Sequence, residues 1–231
     1  MYTGYPKHLV AVDCIIFSYD IEERELRLLL ISRGFRPSKG KWSLPGGFVR
    51  KDESLDEAAC RIVSNLTALN DLYMEQLRAF GSVDRDPGGR VISVAYYSLI
   101  GKHEIDAEKQ RCNEAHWRAL SAIPKLIFDH DIMVSAAREA LRNRVKVQPV
   151  GFELLPEKFT LVQLQELYEA IYERKIDRRN FRKKILSMNF LEKLDEKEKE
   201  TSKRGAYYYR FNEKKYNAFS RDGFFFNLNV I

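Results

Sequence analysis

Short apolar runs separated by polar turns make up the N-terminal half of the chain. Residues 8–19 (HLVAVDCIIFSY) and 26–32 (LRLLLIS) are rich in aliphatic and β-branched side chains, with a polar segment between them. This pattern predicts a pair of strands. A second pair is predicted at residues 74–82 and 90–100, on either side of the turn-forming residues 84–89 (DRDPGG).

Two helices and one more strand complete this predicted unit. Ser54 and Glu57 have the spacing of a capping box and mark the start of a helix between the two strand pairs. Residues 115–120 predict a short strand, and residues 131–143 carry apolar side chains at helical spacing. The unit therefore alternates strand pairs and helices, an order typical of an α/β domain.

The last third of the chain predicts a second unit. Residues 147–156, with two prolines and a glycine, predict a linker. Thr160 and Gln163 predict a capped helix start, and Asp177 predicts the cap of a second helix.

A hairpin is predicted after these helices. Residues 190–194 and 206–211 predict short strands, and residues 195–205 predict a charged turn between them. Two helices followed by a hairpin indicate a winged helix-turn-helix, whose second helix enters the major groove of DNA.

Phe181 sets the orientation of the predicted second helix. If Phe181 points inward, Ile185 and Met188 lie on the same inward face. The predicted DNA contacts on the other faces of this helix are Arg178, Arg179, Asn180, Arg182, Lys183 and Ser187. At the predicted wing tip, Lys203 and Arg204 are predicted to contact phosphate or the minor groove.

Charge and cysteine content narrow the function further. The net charge is +6, and seven of the eleven residues from 174 to 184 are basic, which suggests a polyanionic partner. The three cysteines and four histidines are scattered, which predicts reduced thiols and no metal site. No signal peptide or membrane span is present in the sequence, so we expect a cytoplasmic protein without a membrane partner.

Residues 46–69 (GGFVRKDESLDEAACRIVSNLTAL) resemble the motif of the Nudix hydrolases. Motif positions are matched by Gly47, Glu53, Arg61, Val63 and Leu69. The places of the three later motif glutamates hold Ile62, Asn65 and Leu66, and that of the later motif glycine holds Ala68. The resemblance extends over about residues 8–145 and implies a Nudix-like α/β/α sandwich with a mixed sheet.

The missing glutamates bear on catalysis. Nudix hydrolases use divalent cations, which need several oxygen ligands, to polarise a phosphoryl oxygen and activate water. Ile62 and Leu66 offer no oxygen. We therefore expect no catalytic residues, no metal, no cofactor and no enzymatic activity.

Together, the two units resemble the Nudix-related transcriptional regulators. The resemblance implies an effector-sensing domain at residues 1–148, a linker at 149–156 and a winged helix-turn-helix at 157–231. Overall likeness is greatest to the sugar-sensing branch typified by the arabinose regulator AraR. It implies a homodimeric repressor that regulates carbohydrate metabolism and leaves its double-stranded operator when a sugar, L-arabinose, binds.

The effector pocket is expected in the substrate cleft of the Nudix fold. An aromatic platform with charged hydrogen-bond partners suits a sugar. The residues predicted to bind it are Arg33, Lys41, Trp42, Phe48, Asp84, Arg85 and Tyr97. Three alternatives stay open: a regulator of NAD metabolism that senses ADP-ribose, a Nudix hydrolase with relocated metal ligands, and a Nudix-like RNA-binding or processing protein.

Overall fold

The computed structural model describes residues 3–34, 36–67, 69, 72–101, 115–199 and 205–221. The chain divides into two compact units. The first comprises residues 1–18, 27–100 and 104–137, and the second comprises residues 19–26, 101–103 and 138–231. No helix in the described part is long and apolar enough to cross a membrane.

The first unit is built on a mixed, seven-stranded sheet. Its strands are β1 (Leu9–Asp20), β2 (Glu25–Ser32), β3 (Trp42–Ser43), β4 (Gly46–Phe48), β5 (Glu75–Phe80), β6 (Val91–Ile100) and β7 (Ala115–Ala119). The main path runs β3-β2-β1-β6-β5, with β4 added to β1 and β7 to β2. The strands β1 and β6 are parallel, while β5 pairs antiparallel with β6.

Helix α1 (Leu55–Thr67) lies in the first unit, and helix α2 (His130–Val147) begins in the first unit and ends in the second. The predicted capping box of α1 is confirmed, because Glu57 N donates to Ser54 Oγ and Ser54 N donates to the Glu57 carboxylate. Burial of Ala59, Ile62 and Val63 attaches α1 to a core that includes Val12 and other alternate residues of β1. Helix α2 extends four residues beyond the predicted end at residue 143.

The second unit contains the predicted pair of helices, α3 (Leu161–Tyr172) and α4 (Arg178–Ser187), and strands β8 (Phe159–Thr160), β9 (Leu191–Glu198) and β10 (Ala206–Phe211). Thr160 and Gln163 form the predicted capping box, and Asp177 caps α4 through Asn180 N. Phe181, Ile185 and Met188 are buried, as predicted. A stack of Phe152 on Phe211, with ring centroids 4.3 Å apart, fills the space beside the hairpin.

Three features of the second unit differ from the prediction. Strand β9 runs to Glu198, so residues 195–198 are not part of the predicted turn. Lys197 and Glu198 pair with Tyr207 and Ala206 of β10 despite their charge. The predicted linker contains a 3₁₀ helix (Val150–Leu154), and Leu154 and Leu155 are buried. A further helix, α5 (Glu213–Arg221), was not predicted.

Candidate functional site

A cleft of about 310 Å³ lies in the first unit, a volume at the lower end of the range for small-molecule sites. It is lined by residues from strands β1, β2, β3, β4 and β6, from α1 and the start of α2, and from the loops before β6 and α2. Its polar and aromatic lining consists of Asp13, Ser32, Arg33, Ser43, Phe48, Arg85, Asp86, Phe128 and His130. The lining therefore combines charges of both signs with aromatic surface.

A buried ion cluster forms one wall of the cleft. Arg85, only 7% exposed, donates from Nε and one terminal nitrogen to the Asp129 carboxylate, at 3.0 and 2.7 Å. Its terminal nitrogen also lies 3.5 Å from Asp13 Oδ2, which accepts a 2.6 Å hydrogen bond from Ser93 Oγ. Although burial acts to lower the pKa of Arg85, the hydrogen bond to Asp129 and the charge of Asp13 raise it above its ordinary value. Arg85 is therefore a fixed cation whose charge is already balanced.

His130 connects this cluster to the turn before β4. Its Nδ1 accepts a 3.1 Å hydrogen bond from Leu44 N, and its Nε2 lies 3.6 Å from Asp13 Oδ1. Burial lowers the pKa of His130. Because Nδ1 is an acceptor, the neutral ring carries its proton on Nε2, on the side of Asp13.

Arg33 is the cation at the opening of the cleft. Burial lowers the pKa of Arg33 from its high ordinary value, and the charges of Asp86 and Asp13 oppose that effect. Its guanidinium carbon lies 5.5 Å from the centroid of the Phe128 ring, a cation–π distance. Phe128 itself has a φ of 52°, an uncommon backbone conformation for an aromatic residue. These contacts hold a cation and an aromatic ring together on one side of the cleft.

The degenerate Nudix motif keeps its framework ion pair. Arg61 binds both carboxylate oxygens of Glu53, at 2.7 and 2.5 Å, and also donates to Phe48 O at 3.1 Å. The hydrogen bonds from Arg61 lower the pKa of Glu53 to about 2. This pair ties the loop after β4 to α1, so Glu53 serves the framework.

Apolar side chains stand where the family places metal ligands. Ile62 is 4% exposed and belongs to the core, while Leu66 lines the cleft. A Cβ added at Gly47 would lie 3.2 Å from Ile62 Cδ1, so β4 already approaches this side chain closely. Among the described residues, no group of three or more His, Cys, Asp or Glu could hold a metal ion. The residues present do not fit the metal cluster of a Nudix hydrolase.

The structure brings three of the predicted effector-binding residues to the cleft: Arg33, Phe48 and Arg85. Four others, Lys41, Trp42, Asp84 and Tyr97, do not line it. Trp42 packs edge-on to His116 and under the Arg118 guanidinium, with centroid distances of 5.3 and 4.8 Å. The Tyr97 hydroxyl donates to Glu75 at 2.6 Å. The side chains of Trp42 and Tyr97 are therefore occupied elsewhere, and a role in effector binding stays a prediction for all seven residues.

Sequence reasoning missed Asp13, Phe128 and His130 in the cleft. Asp13 had a visible signal, since it is the one carboxylate inside an otherwise apolar strand pattern. Phe128 and His130 had none, because they reach the cleft only through the packing of the loop before α2 and of the first residue of α2.

The exposed face of α4 is a candidate DNA-binding surface. The predicted contacts Arg178, Arg179, Asn180, Arg182, Lys183 and Ser187 are all exposed. Their exposure follows from the burial of Phe181 and Ile185 on the other side of the helix. Lys203 and Arg204 lie outside the described residues.

Two lysines on the hairpin were not predicted. Lys193 and Lys197 of β9 both lie over the Tyr207 ring of β10, with Nζ 3.6 and 4.5 Å from its centroid. The two ammonium groups contact the same ring, across a register shift in the pairing of β9 with β10. The hairpin thus carries positive charge within its strands.

Two protein families match the chain. Residues 7–138 match the NUDIX domain, and residues 151–211 match the NrtR DNA-binding winged helix domain. The fold predicted from the sequence, a Nudix-like sandwich with a mixed sheet followed by a winged helix, is confirmed.

Three known proteins illustrate the similarity. The chain is 34% identical over 213 residues to the ADPR responsive transcriptional repressor NtrR of Acinetobacter baylyi, covering 90% of this chain and 84% of the relative. It is 37% identical over 133 residues to the ADP-ribose pyrophosphatase of Methanocaldococcus jannaschii, covering 58% of this chain and 75% of the relative.

The third is Shewanella oneidensis NrtR. A crystal structure of it complexed with a 27mer DNA superimposes with a TM-score of 0.78 at 29% identity, covering 95% of this chain and 99% of that one. A structure of its NUDIX domain complexed with ADP ribose superimposes with a TM-score of 0.53 at 31% identity, covering 61% of this chain and 93% of that one.

These comparisons correct one prediction. The sugar-sensing branch typified by AraR was the wrong branch, and arabinose and carbohydrate metabolism go with it. The matching winged helix is of the NrtR type, and the Acinetobacter relative is described as ADPR responsive. The likeness to the arabinose regulator rested on no residue that reads arabinose, so the sequence contained no physical reason to prefer it.

Proposed function

We propose, on the premise that this chain belongs to the NrtR family of Nudix-domain transcriptional regulators, that it is a repressor whose cleft binds ADP-ribose. Binding of ADP-ribose in the first unit would weaken binding of the winged helix to its operator. The observation that carries the proposal is the cleft itself, in which Leu66 stands at the position of a motif glutamate while cations and aromatic rings remain.

The chemistry of the cleft suits a ligand with a diphosphate, ribose hydroxyls and a flat base. Arg33 offers a guanidinium for the diphosphate, a group that arginine binds in a planar, bidentate geometry. Asp86 offers a carboxylate that can accept from hydroxyl groups. Phe48, 52% exposed, offers a ring face on which a base can stack.

The apolar side chains of Ile62 and Leu66, at two positions where the motif has glutamates, support sensing over turnover. Hydrolysis in this family uses a Lewis acid that such side chains cannot hold. A ligand that is bound and not consumed can report its own concentration. Release of DNA requires only that the ligand favour one state of the protein, and a coupling of about 1–3 kcal/mol changes operator affinity by about 5- to 150-fold.

The proposal is tested by titrating the full chain with each of four compounds: ADP-ribose, AMP, ribose 5-phosphate and L-arabinose. Calorimetry measures the binding of each compound, and an operator-binding assay measures its effect on the DNA complex. We expect ADP-ribose alone to bind tightly and to release DNA. At 100 times its Kd, it should stabilise the fold by about 2.7 kcal/mol. Binding of L-arabinose without ADP-ribose binding would refute the proposal, as would ADP-ribose binding that leaves the operator complex unchanged.

Arg33→Ala locates the ligand in the cleft. Loss of a hydrogen bond to a charged group costs about 1.5–3 kcal/mol, so the affinity for ADP-ribose should fall about tenfold or more. Lys39→Ala is the matched control, because Lys39 is an exposed cation of the same loop that does not line the cleft. Equal affinities of both variants would place ADP-ribose elsewhere.

Hydrolysis of ADP-ribose is the second candidate function, and similarity to the Methanocaldococcus pyrophosphatase favours it. The apolar Ile62 and Leu66 oppose it. Incubation of the protein with ADP-ribose and Mg²⁺ or Mn²⁺ should give no turnover near the usual enzymatic rate of about 1 per second or more. Turnover at that rate would establish an enzyme.

A further inference from the structure

We propose that Leu186 is a specificity-determining residue that reads a thymine methyl group in the major groove. The inference rests on the DNA-binding function proposed above and assigns a new role within it. Leu186 is 38% exposed at the C-terminal end of α4, whereas the other apolar side chains of this helix, Phe181 and Ile185, are buried.

The position of Leu186 on the helix is central to the basic face. At 3.6 residues per turn, Leu186 lies about 140° around the axis from the buried Phe181. Arg179 and Lys183 lie about 160° and 200° from Phe181, and Arg182 about 100°. Leu186 is therefore surrounded by cations on the surface that is farthest from the core.

An exposed leucine is in general unremarkable, because folded proteins leave much apolar surface in water. In α4, however, the side chains around Leu186 are basic, and they differ from leucine in what they can recognise on DNA. Arginine and lysine can bind phosphates and the acceptor atoms of guanine, but neither recognises the methyl group of thymine. Apolar side chains make that contact in major-groove recognition. Leu186 supplies the one type of base contact that the rest of this face lacks.

The length of α4 is compatible with this role. Its ten residues span about 15 Å, comparable to the major groove width of about 12 Å. Leu186 lies seven residues, or two helical turns, beyond Arg179 on nearly the same side of the helix. We therefore expect Leu186 to contact a different base pair from the one that Arg179 reads.

Replacing thymine with deoxyuridine tests the inference, since it removes only the methyl group. A preferred duplex is first selected from a random pool with the full chain, and each thymine is then replaced singly. In the parent protein, one replacement per half-site should weaken binding about fourfold, equivalent to about 0.8 kcal/mol for one buried methyl-sized group. In Leu186→Ala, that duplex and its thymine counterpart should bind equally.

Val147→Ala is the matched control, because Val147 is also an exposed aliphatic residue, 60% exposed, but lies outside α4 and outside the predicted DNA contacts. This variant should keep the discrimination between thymine and deoxyuridine. Circular dichroism of both variants checks the fold, which a surface truncation leaves intact.

The outcomes separate the inference from the function beneath it. If Leu186→Ala discriminates as the parent does, or if no thymine position discriminates in the parent, Leu186 does not read a methyl group while DNA binding stands. If the full chain selects no duplex at all, the DNA-binding function fails, and the role of Leu186 fails with it.

Discussion

Ile62→Glu restores a carboxylate at a position where the Nudix motif has one, and we expect it to destabilise the first unit in a pH-dependent way. Ile62 is 4% exposed and packs in the core with Val12 and Val63. Burial disfavours the charged form, and buried glutamates can reach pKa values of about 8–9, against about 4.3 in an unfolded chain.

The magnitude follows from this pKa difference. Holding the introduced carboxyl protonated at pH 7 costs about 1.4 kcal/mol for each pH unit above 4.3, or about 4 kcal/mol. Loss of the buried isoleucine adds about 2 kcal/mol that does not depend on pH. Because the folded-state pKa is raised, the pH-dependent part grows as pH rises above the unfolded pKa. Lowering the pH from 7 to 5 should therefore return about 3 kcal/mol of stability.

Urea unfolding followed by tryptophan fluorescence measures this effect in the correct unit. The two tryptophans of the chain, Trp42 and Trp117, both belong to the first unit. Ile62→Gln should show a deficit that is independent of pH, and Asn65→Glu, at an exposed position, should show almost none. An Ile62→Glu variant as stable as the parent at pH 7 would refute the buried, dry environment assigned to Ile62.

Four further outcomes are expected. Thr160→Ala, which removes the cap of α3, should lower the unfolding free energy by about 1 kcal/mol in urea denaturation. Phe181→Ala should lower it by about 3–5 kcal/mol through a core cavity, measured by circular dichroism. Arg182→Ala should leave stability within about 0.5 kcal/mol but reduce the salt dependence of DNA binding by about one ion in a salt titration. Ser93→Ala should lower the unfolding free energy by about 1–3 kcal/mol in urea denaturation, because Asp13 loses a buried hydrogen-bond donor. For Thr160→Ala, Phe181→Ala or Ser93→Ala, an unchanged unfolding midpoint would contradict the contact concerned.

The sequence by itself determined the features that depend only on residues close together in the chain. Each of the caps at Ser54, Thr160 and Asp177 accepts a hydrogen bond from the backbone N–H three residues later, and all three form as predicted. The inward face of α4 follows from the helical period once Phe181 is placed. The Nudix frame was visible for the same reason, since its motif lies in one continuous segment. The domain boundaries predicted from composition stay predictions.

The cleft was decided by the tertiary structure. Asp13, Arg85 and His130 are far apart in the chain and meet only because β1, the loop before β6 and the start of α2 converge, which no local pattern encodes. Trp42 directly precedes the cleft residue Ser43 in the chain, yet its ring packs against His116 and Arg118. Likewise, residues 195–198 look like part of a charged turn, but β9 continues through them because Lys197 and Glu198 pair with β10. Short-range periodicity fixes which side of an element is apolar, whereas long-range packing decides what that side meets.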